Sequence, residues 1–286
     1  MIRYQDGTLS TEGLSGIAGG QPVSSDFSLS RQGDQWFGRL NLESAGAIPI
    51  DEALLSALTP EDHDITGAER FVRSLHPRGG VQVNHATFER ELAGTATWNR
   101  NIDLQVVNGS IKYDHFRYPI HDIQGRIAGQ DDHWWLHQFE GRNDSGRILC
   151  AGNWQHLGKA EIPFDLQFQA TQVPIEEELR RALPKEVQYV WDELQPSGSI
   201  DRVEVQLSQR PGEPLATRVA IEERSESNQQ AGRALRFQPQ NFPLWLSDID
   251  CSIQYEPGRV MIHQASGING DSRLAIQGVC EPQADG

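Results

Sequence analysis

An internal repetition constrains this chain more than any other feature. Displaced by 126 residues, Asp122–Gly152 falls on Asp248–Gly278 without a gap. Asp122/Asp248, Ile123/Ile249, Ile127/Ile253, His137/His263, Gln138/Gln264, Gly141/Gly267, Asn143/Asn269, Arg147/Arg273 and Gly152/Gly278 are identical pairs. PIDEALLSAL at Pro49–Leu58 matches PIEEELRRAL at Pro174–Leu183, a displacement of 125. After each, the chain reads L-x-P-x-G-x-V/I, at Leu75, Pro77, Gly79, Val81 and at Leu194, Pro196, Gly198, Ile200. Self-similarity at a fixed period is the mark of one structural unit used several times. The spacing predicts the end of one unit with its helix pair over 1–78, a complete unit over 79–197 and the start of a third over 198–286. On this register the chain is expected to be a section of a longer array.

Within the units the period is that of strands. Phe27 and Leu29, then Trp36, Gly38, Leu40 and Leu42, alternate with polar neighbours. The clearest run is IPFDLQFQA, where Ile162, Phe164, Leu166, Phe168 and Ala170 face one side. Pro163, Asp165, Gln167 and Gln169 face the other, giving one dry and one wet face. Val203, Val205 and Leu207 repeat the pattern, and Thr217–Glu222 reads as a further strand. The polar run Glu222–Gly232 reads as a loop.

Helical spacing is confined to two places, about 50–75 and 174–195. Ile50, Leu54, Ala57 and Leu58 share one helix face, with Asp51 and Glu52 in the first turn, where acids complement the helix dipole. Thr59 before Pro60 predicts a second N-cap, and a short helix ends near Phe71–Leu75. Pro174–Leu183 and Pro184–Leu194 repeat the pair. The predicted fold is therefore mostly β: an elongated, twisted antiparallel sheet, either a repeating β-groove or sandwich-like. Its short two-helix inserts would cover a sheet end or edge.

The chemistry of an active site is missing from the sequence motifs. No glycine-rich phosphate loop, nucleophile elbow or HExxH is present. His133 and His137 have the spacing of helical metal ligands, but HWWLH reads as a strand, where such residues stand about 13 Å apart. Asn143 and Asp144 read as turn residues, so neither a metal nor a cofactor is expected and the chain is read as non-enzymatic. Cys150, Cys251 and Cys280 sit in strand-like runs and read as small apolar residues, with a Cys251–Cys280 bridge left open. A net charge of −15 with no basic stripe excludes nucleic acid as a partner. No stretch has the length and apolarity of a transmembrane helix.

The strands carrying D-I-x-G/C-x-I, followed by strands that reach a glycine (RILCAGNW and RLAIQGVC), resemble the C-terminal regions of AsmA-like envelope proteins, including the TamB-like repeating β-groove proteins. The resemblance covers residues 80–170 and 235–280 best, and the helix inserts depart from its simplest form. It implies a periplasmic or cell-envelope location, a membrane anchor elsewhere in the parent protein, and a part in lipid movement or outer-membrane assembly. Lipid acyl chains and other envelope proteins are the partners it implies. The one-sided strands make Ile162, Phe164, Leu166, Phe168, Val203, Val205 and Leu207 the expected groove lining. The alternative is an extracellular β module that binds polysaccharide or protein, with Trp134 or Trp135 as its platform. An unbroken apolar stripe across successive strands would favour the groove, and local exposed aromatics beside polar groups the module.

Overall fold

The computed structural model describes residues 2–57, 67–91, 99–155, 162–225, 234–240 and 245–281. In chain order the strands are β1 (Ile2–Gln5), β2 (Thr8–Ala18), β3 (Gln21–Gln32), β4 (Gln35–Ser44) and β5 (Ile48–Pro49). Helices α1 (Glu52–Ser56) and α2 (Gly67–Ser74) follow. Next come β6 (Arg78–Glu91), β7 (Asn99–Tyr113), β8 (Phe116–Gln130), β9 (His133–Asn143), β10 (Gly146–Gln155) and β11 (Phe164–Ile175). A second helix pair, α3 (Glu177–Ala182) and α4 (Lys185–Leu194), leads into β12 (Gly198–Gln209), β13 (Ala216–Glu223), β14 (Ser247–Glu256), β15 (Arg259–Asn269) and β16 (Ser272–Cys280). The strands form one antiparallel sheet in sequence order, from β1 to β16, with the two-residue β5 pairing β6. Among the described residues β1 and β16 end this order, and no pairing joins them.

By contact the chain divides into two compact units. One comprises residues 1–111, 121–139 and 151–163; the other comprises 112–120, 140–150 and 164–286. In the first, apolar rows cross neighbouring strands: Phe27, Leu40 and Phe88 stand opposite one another, as do Leu42, Ala86 and Ile102. Ala86, Val106 and Ile123 are its buried apolar side chains. In the second unit, Tyr118, Val173, Ala182, Leu235 and Ile249 are buried.

Both helix pairs form where the helical spacing predicted them. Asp51 serves as the N-cap of α1 rather than as a first-turn residue, its carboxylate accepting from Leu54 N at 2.9 Å. The Thr59–Pro60 start lies outside the described residues. Each pair is tied by an arginine. Arg73 of α2 donates to Glu52 at 2.8 and 2.6 Å, and Arg180 of α3 to Asp192 of α4 at 2.6 and 2.7 Å. These guanidiniums hold the Glu52 and Asp192 carboxyls below their usual range.

The return to the sheet is alike after both pairs. His76 and Gln195 adopt left-handed φ of 44° and 43°, and Gly79 and Gly198 follow with φ of 109° and 105°. A Cβ on Gly79 would lie 2.5 Å from the Asn108 carbonyl oxygen, so the chain needs glycine there. The positions 126 apart in sequence share further geometry. Asp122 and Asp248 both have left-handed φ, 53° and 48°. Asn143 Nδ2 donates to Pro119 O at 2.7 Å, and Asn269 Nδ2 donates to Trp245 O at 2.6 Å. Each asparagine closes its strand and reaches a carbonyl 24 residues upstream.

The three cysteines are free thiols. Cys251 on β14 and Cys280 on β16 are separated by β15, which puts their backbones about two strand spacings, roughly 9.5 Å, apart. That is beyond the reach of a disulfide. The bridge left open by the sequence is therefore absent.

Candidate apolar groove

Strand pairing turns the one-sided strands of the second unit into a surface. Residues directly opposite in an antiparallel pair share a face. Leu166 stands opposite Leu207, Phe168 opposite Val205 and Ala170 opposite Val203. Val205 then pairs Val219, and Val203 pairs Ile221. The rows continue as Val219–Tyr255–Val260 and Ile221–Ile253–Ile262. Two unbroken apolar rows thus cross five strands, from β11 to β15, with Leu166 and Leu207 beginning a third. Every one of these side chains keeps part of its surface in solvent, and Tyr255 is 42 % exposed.

Five of the seven groove residues expected from sequence lie together in these rows. Phe164 is in β11 opposite Gln209, at the margin of the apolar rows, and Phe168, Leu166, Val203, Val205 and Leu207 lie inside them. Ile162 precedes β11, in the irregular segment ahead of it, and is half-buried there. Val219, Ile221, Ile253, Tyr255 and Ile262 complete the rows without having been singled out. Their alternation was legible, but which strand lay beside which was not.

The reverse face is polar. Asp165, Gln167 and Gln169 stand opposite Ser208, Gln206 and Glu204, and Gln206 opposite Arg218. Gln167 and Gln206 are exposed.

At the helix end of the same strands several buried polar groups are paired, while Asn143 Oδ1, Glu176 Oε1 and the Tyr118 hydroxyl are buried with no hydrogen-bond partner. Glu223, 2 % exposed, accepts from Asp201 N at 2.8 Å; Asp201 in turn accepts from Gln172 Nε2 at 3.0 Å and Arg224 N at 3.0 Å. Asn143, also 2 % exposed, bonds the Pro119 carbonyl and approaches Glu178 of α3 at 3.4 Å. Glu176 stands beside this corner. Burial, and then the neighbouring Asp144 carboxyl to which it hydrogen-bonds, raise its pKa above the usual carboxylate range. Burial likewise pushes Tyr118 up, with Glu176, Glu178 and Asp144 adding to the effect.

The thiols and the aromatic residues read as packing groups. Burial pushes the Cys150 thiol up to about 12; burial, then the Glu223 and Asp250 charges, push Cys251 up to about 11. Trp134 stacks on Trp154 with ring centres 5.7 Å apart and planes 3° apart, and its ring lies against Gly129. Trp135 stacks on His133 at 6.1 Å. His133 and His137 are exposed on β9, and no three metal-binding side chains come together among the described residues.

Compared with known proteins, the chain matches no protein-family model, no curated protein and no solved structure.

Proposed function

We propose that this chain is a run of repeated β-sheet units whose apolar stripe takes lipid acyl chains, a non-enzymatic cell-envelope role like that implied by the AsmA-like and TamB-like resemblance. The observation that carries the reading is the pair of apolar rows across β11–β15, half-open to solvent. A sheet face of this kind needs a cover. Four spacings between five strands span roughly 19 Å, more than one leaflet of a bilayer's hydrocarbon core at about 15 Å. Each methylene laid into such a trough contributes about 0.8 kcal/mol. The units are read as 1–78, 79–197 and 198–286. The paired asparagines, the matched left-handed residues and the two arginine-tied helix pairs support that register.

The test is a photo-crosslinker at Leu166 in the dry row and at Gln167 on the wet face, with the protein expressed in a bacterial envelope. Lipid captured at Leu166 and not at Gln167 is the expected result, and Leu166→Asp should abolish uptake at the neighbouring Val205. Equal capture at both sites, or none, overturns the groove and favours a polysaccharide- or protein-binding module.

A further inference from the structure

The start of α3 departs from that of α1. Asp51 and Glu176 take equivalent places in the two helix pairs, each as the N-cap of its helix. Asp51 accepts from Leu54 N at 2.9 Å, whereas Glu176 makes no cap bond. Its carboxyl turns instead toward Asp144, in the turn between β9 and β10, and its charge acts on Tyr118 of β8. Glu178 has no acidic counterpart either: Ala53 stands at that place in α1.

Three oxygens at this corner are buried without a hydrogen-bond partner: Asn143 Oδ1, Glu176 Oε1 and the Tyr118 hydroxyl. Asn143 is 2 % and Tyr118 6 % exposed. The residues adjoin, since Asn143 Nδ2 donates to the carbonyl of Pro119, next to Tyr118, and at 3.4 Å to Glu178 Oε2. Asp144 and Glu178 stay exposed, which gives the corner a charged rim and a buried floor. Among the described residues no lysine or arginine forms an ion pair with Asp144, Glu176 or Glu178, and nearby Arg180 is held by Asp192 and Glu177.

Such a corner is rich in acceptors and poor in donors. A water molecule here would bring lone pairs that need donors of their own. A calcium ion takes about six to eight oxygen ligands, and no three acidic, imidazole or thiol side chains converge among the described residues. A primary ammonium carries three N–H donors and no acceptor. We propose that this corner binds a primary ammonium group, with Glu176 Oε1, Asn143 Oδ1 and the Tyr118 hydroxyl as acceptors and Asp144 and Glu178 adding charge. The group belongs to a small free amine or to the amine headgroup of a lipid, and the site does not depend on what fills the groove.

The probe is propylammonium, set against propyltrimethylammonium, which has the same charge and no N–H. Calorimetric titration of the intact chain should show saturable binding of propylammonium, at least about tenfold tighter than the trimethyl analogue. Glu176→Gln and Tyr118→Phe should each weaken it by about tenfold or more. Glu213→Gln, at an exposed acid of the same unit, should leave it unchanged. The comparison of the two amines needs no variant, so it holds even where a substitution disturbs the fold. With propylammonium bound, flotation on phosphatidylcholine vesicles with and without phosphatidylethanolamine identifies the source. Retention that needs phosphatidylethanolamine and is lost in Glu176→Gln assigns the headgroup; no difference between the vesicles assigns a free amine. Equal affinity for the two amines, or no binding of propylammonium, overturns the proposal. So does calcium binding that Glu176→Gln abolishes and propylammonium does not displace. Lipid capture at Leu166 is read separately, so either result stands without the other.

Discussion

Replacing Asn143 by alanine tests how the closed end of the second unit is held. Its amide donates to the carbonyl of Pro119 at 2.7 Å; Asn143 is 2 % exposed and Pro119 half-buried. Pro119 has no N–H of its own, so its carbonyl is the group that must find a partner at this point of β8. Asn143→Ala removes the donor from the carbonyl of this half-buried proline. A lost neutral hydrogen bond costs about 1 kcal/mol net, and a stranded buried acceptor raises the cost to about 1–3 kcal/mol. The counterpart Asn269 makes the same bond to Trp245 O at 2.6 Å, but it is only half-buried and its partner Trp245 is 56 % exposed. Water can replace that donor, so Asn269→Ala should cost about 0.5 kcal/mol or less. Asn143→Asp should be worse than Asn143→Ala, because it sets another carboxyl beside Asp144, Glu176 and Glu178. Urea unfolding followed by tryptophan fluorescence and by circular dichroism gives the three values. If Asn143→Ala lies within about 0.5 kcal/mol of the parent, or matches Asn269→Ala, burial of the Pro119 bond is not what holds this corner.

Two further outcomes follow from the titrating groups. Glu176 has a folded pKa raised above its unfolded value near 4.5, so its contribution is fully present below that pH and is lost as pH rises through the raised folded value. Glu176→Gln keeps a donor to Asp144 at every pH; its stability advantage over the parent should grow from about pH 4.5 upward, and an unchanged difference across thermal melts from pH 4 to 8 would refute the assignment. For the thiols, maleimide labelling at pH 8 followed by mass spectrometry should modify Cys280 quickly. Cys150 and Cys251, raised to about 12 and about 11, should react only after denaturation, and three equally fast thiols would contradict their burial.

Period was the legible part of this fold, and partnership was not. Phe164, Leu166 and Phe168 announced a strand with one dry face because side-chain direction in a strand depends only on the residue's own position. The helix pairs were equally readable from the spacing of Leu54 and Leu58 and from the prolines that bracket them. Asn143 shows the limit. Beside Asp144 it has the composition of a turn, yet it is the last residue of β9, and its function lies in a carbonyl 24 residues upstream. Ile162 shows another: alternation continued one step too far, because the strand begins only after Pro163. Ile253 was visible as the repeat counterpart of Ile127, but its place in the groove, like that of Tyr255, depends on β13 and β14 pairing across a long polar connection.

The contrast between the two ends of the second unit's strands bears on how a groove could work. At the helix end, Asp201, Glu223 and the Asn143 amide nitrogen hydrogen-bond to specific partners, and Val173, Ala182 and Ile249 of the same unit are buried. Such a network is unforgiving, since each unmet group costs about 1–3 kcal/mol. In the rows from Phe168 to Val260 the one polar side-chain group is the hydroxyl of Tyr255, a residue 42 % exposed, and the backbone groups are already paired along the ladders. Exposing them costs transfer free energy but strands no hydrogen bond. An occupant of those rows could therefore come and go while the closed end keeps the strands in register. This asymmetry is why a charge at Leu166 is expected to abolish binding and spare the fold, whereas a smaller change at Asn143 is expected to weaken the fold itself.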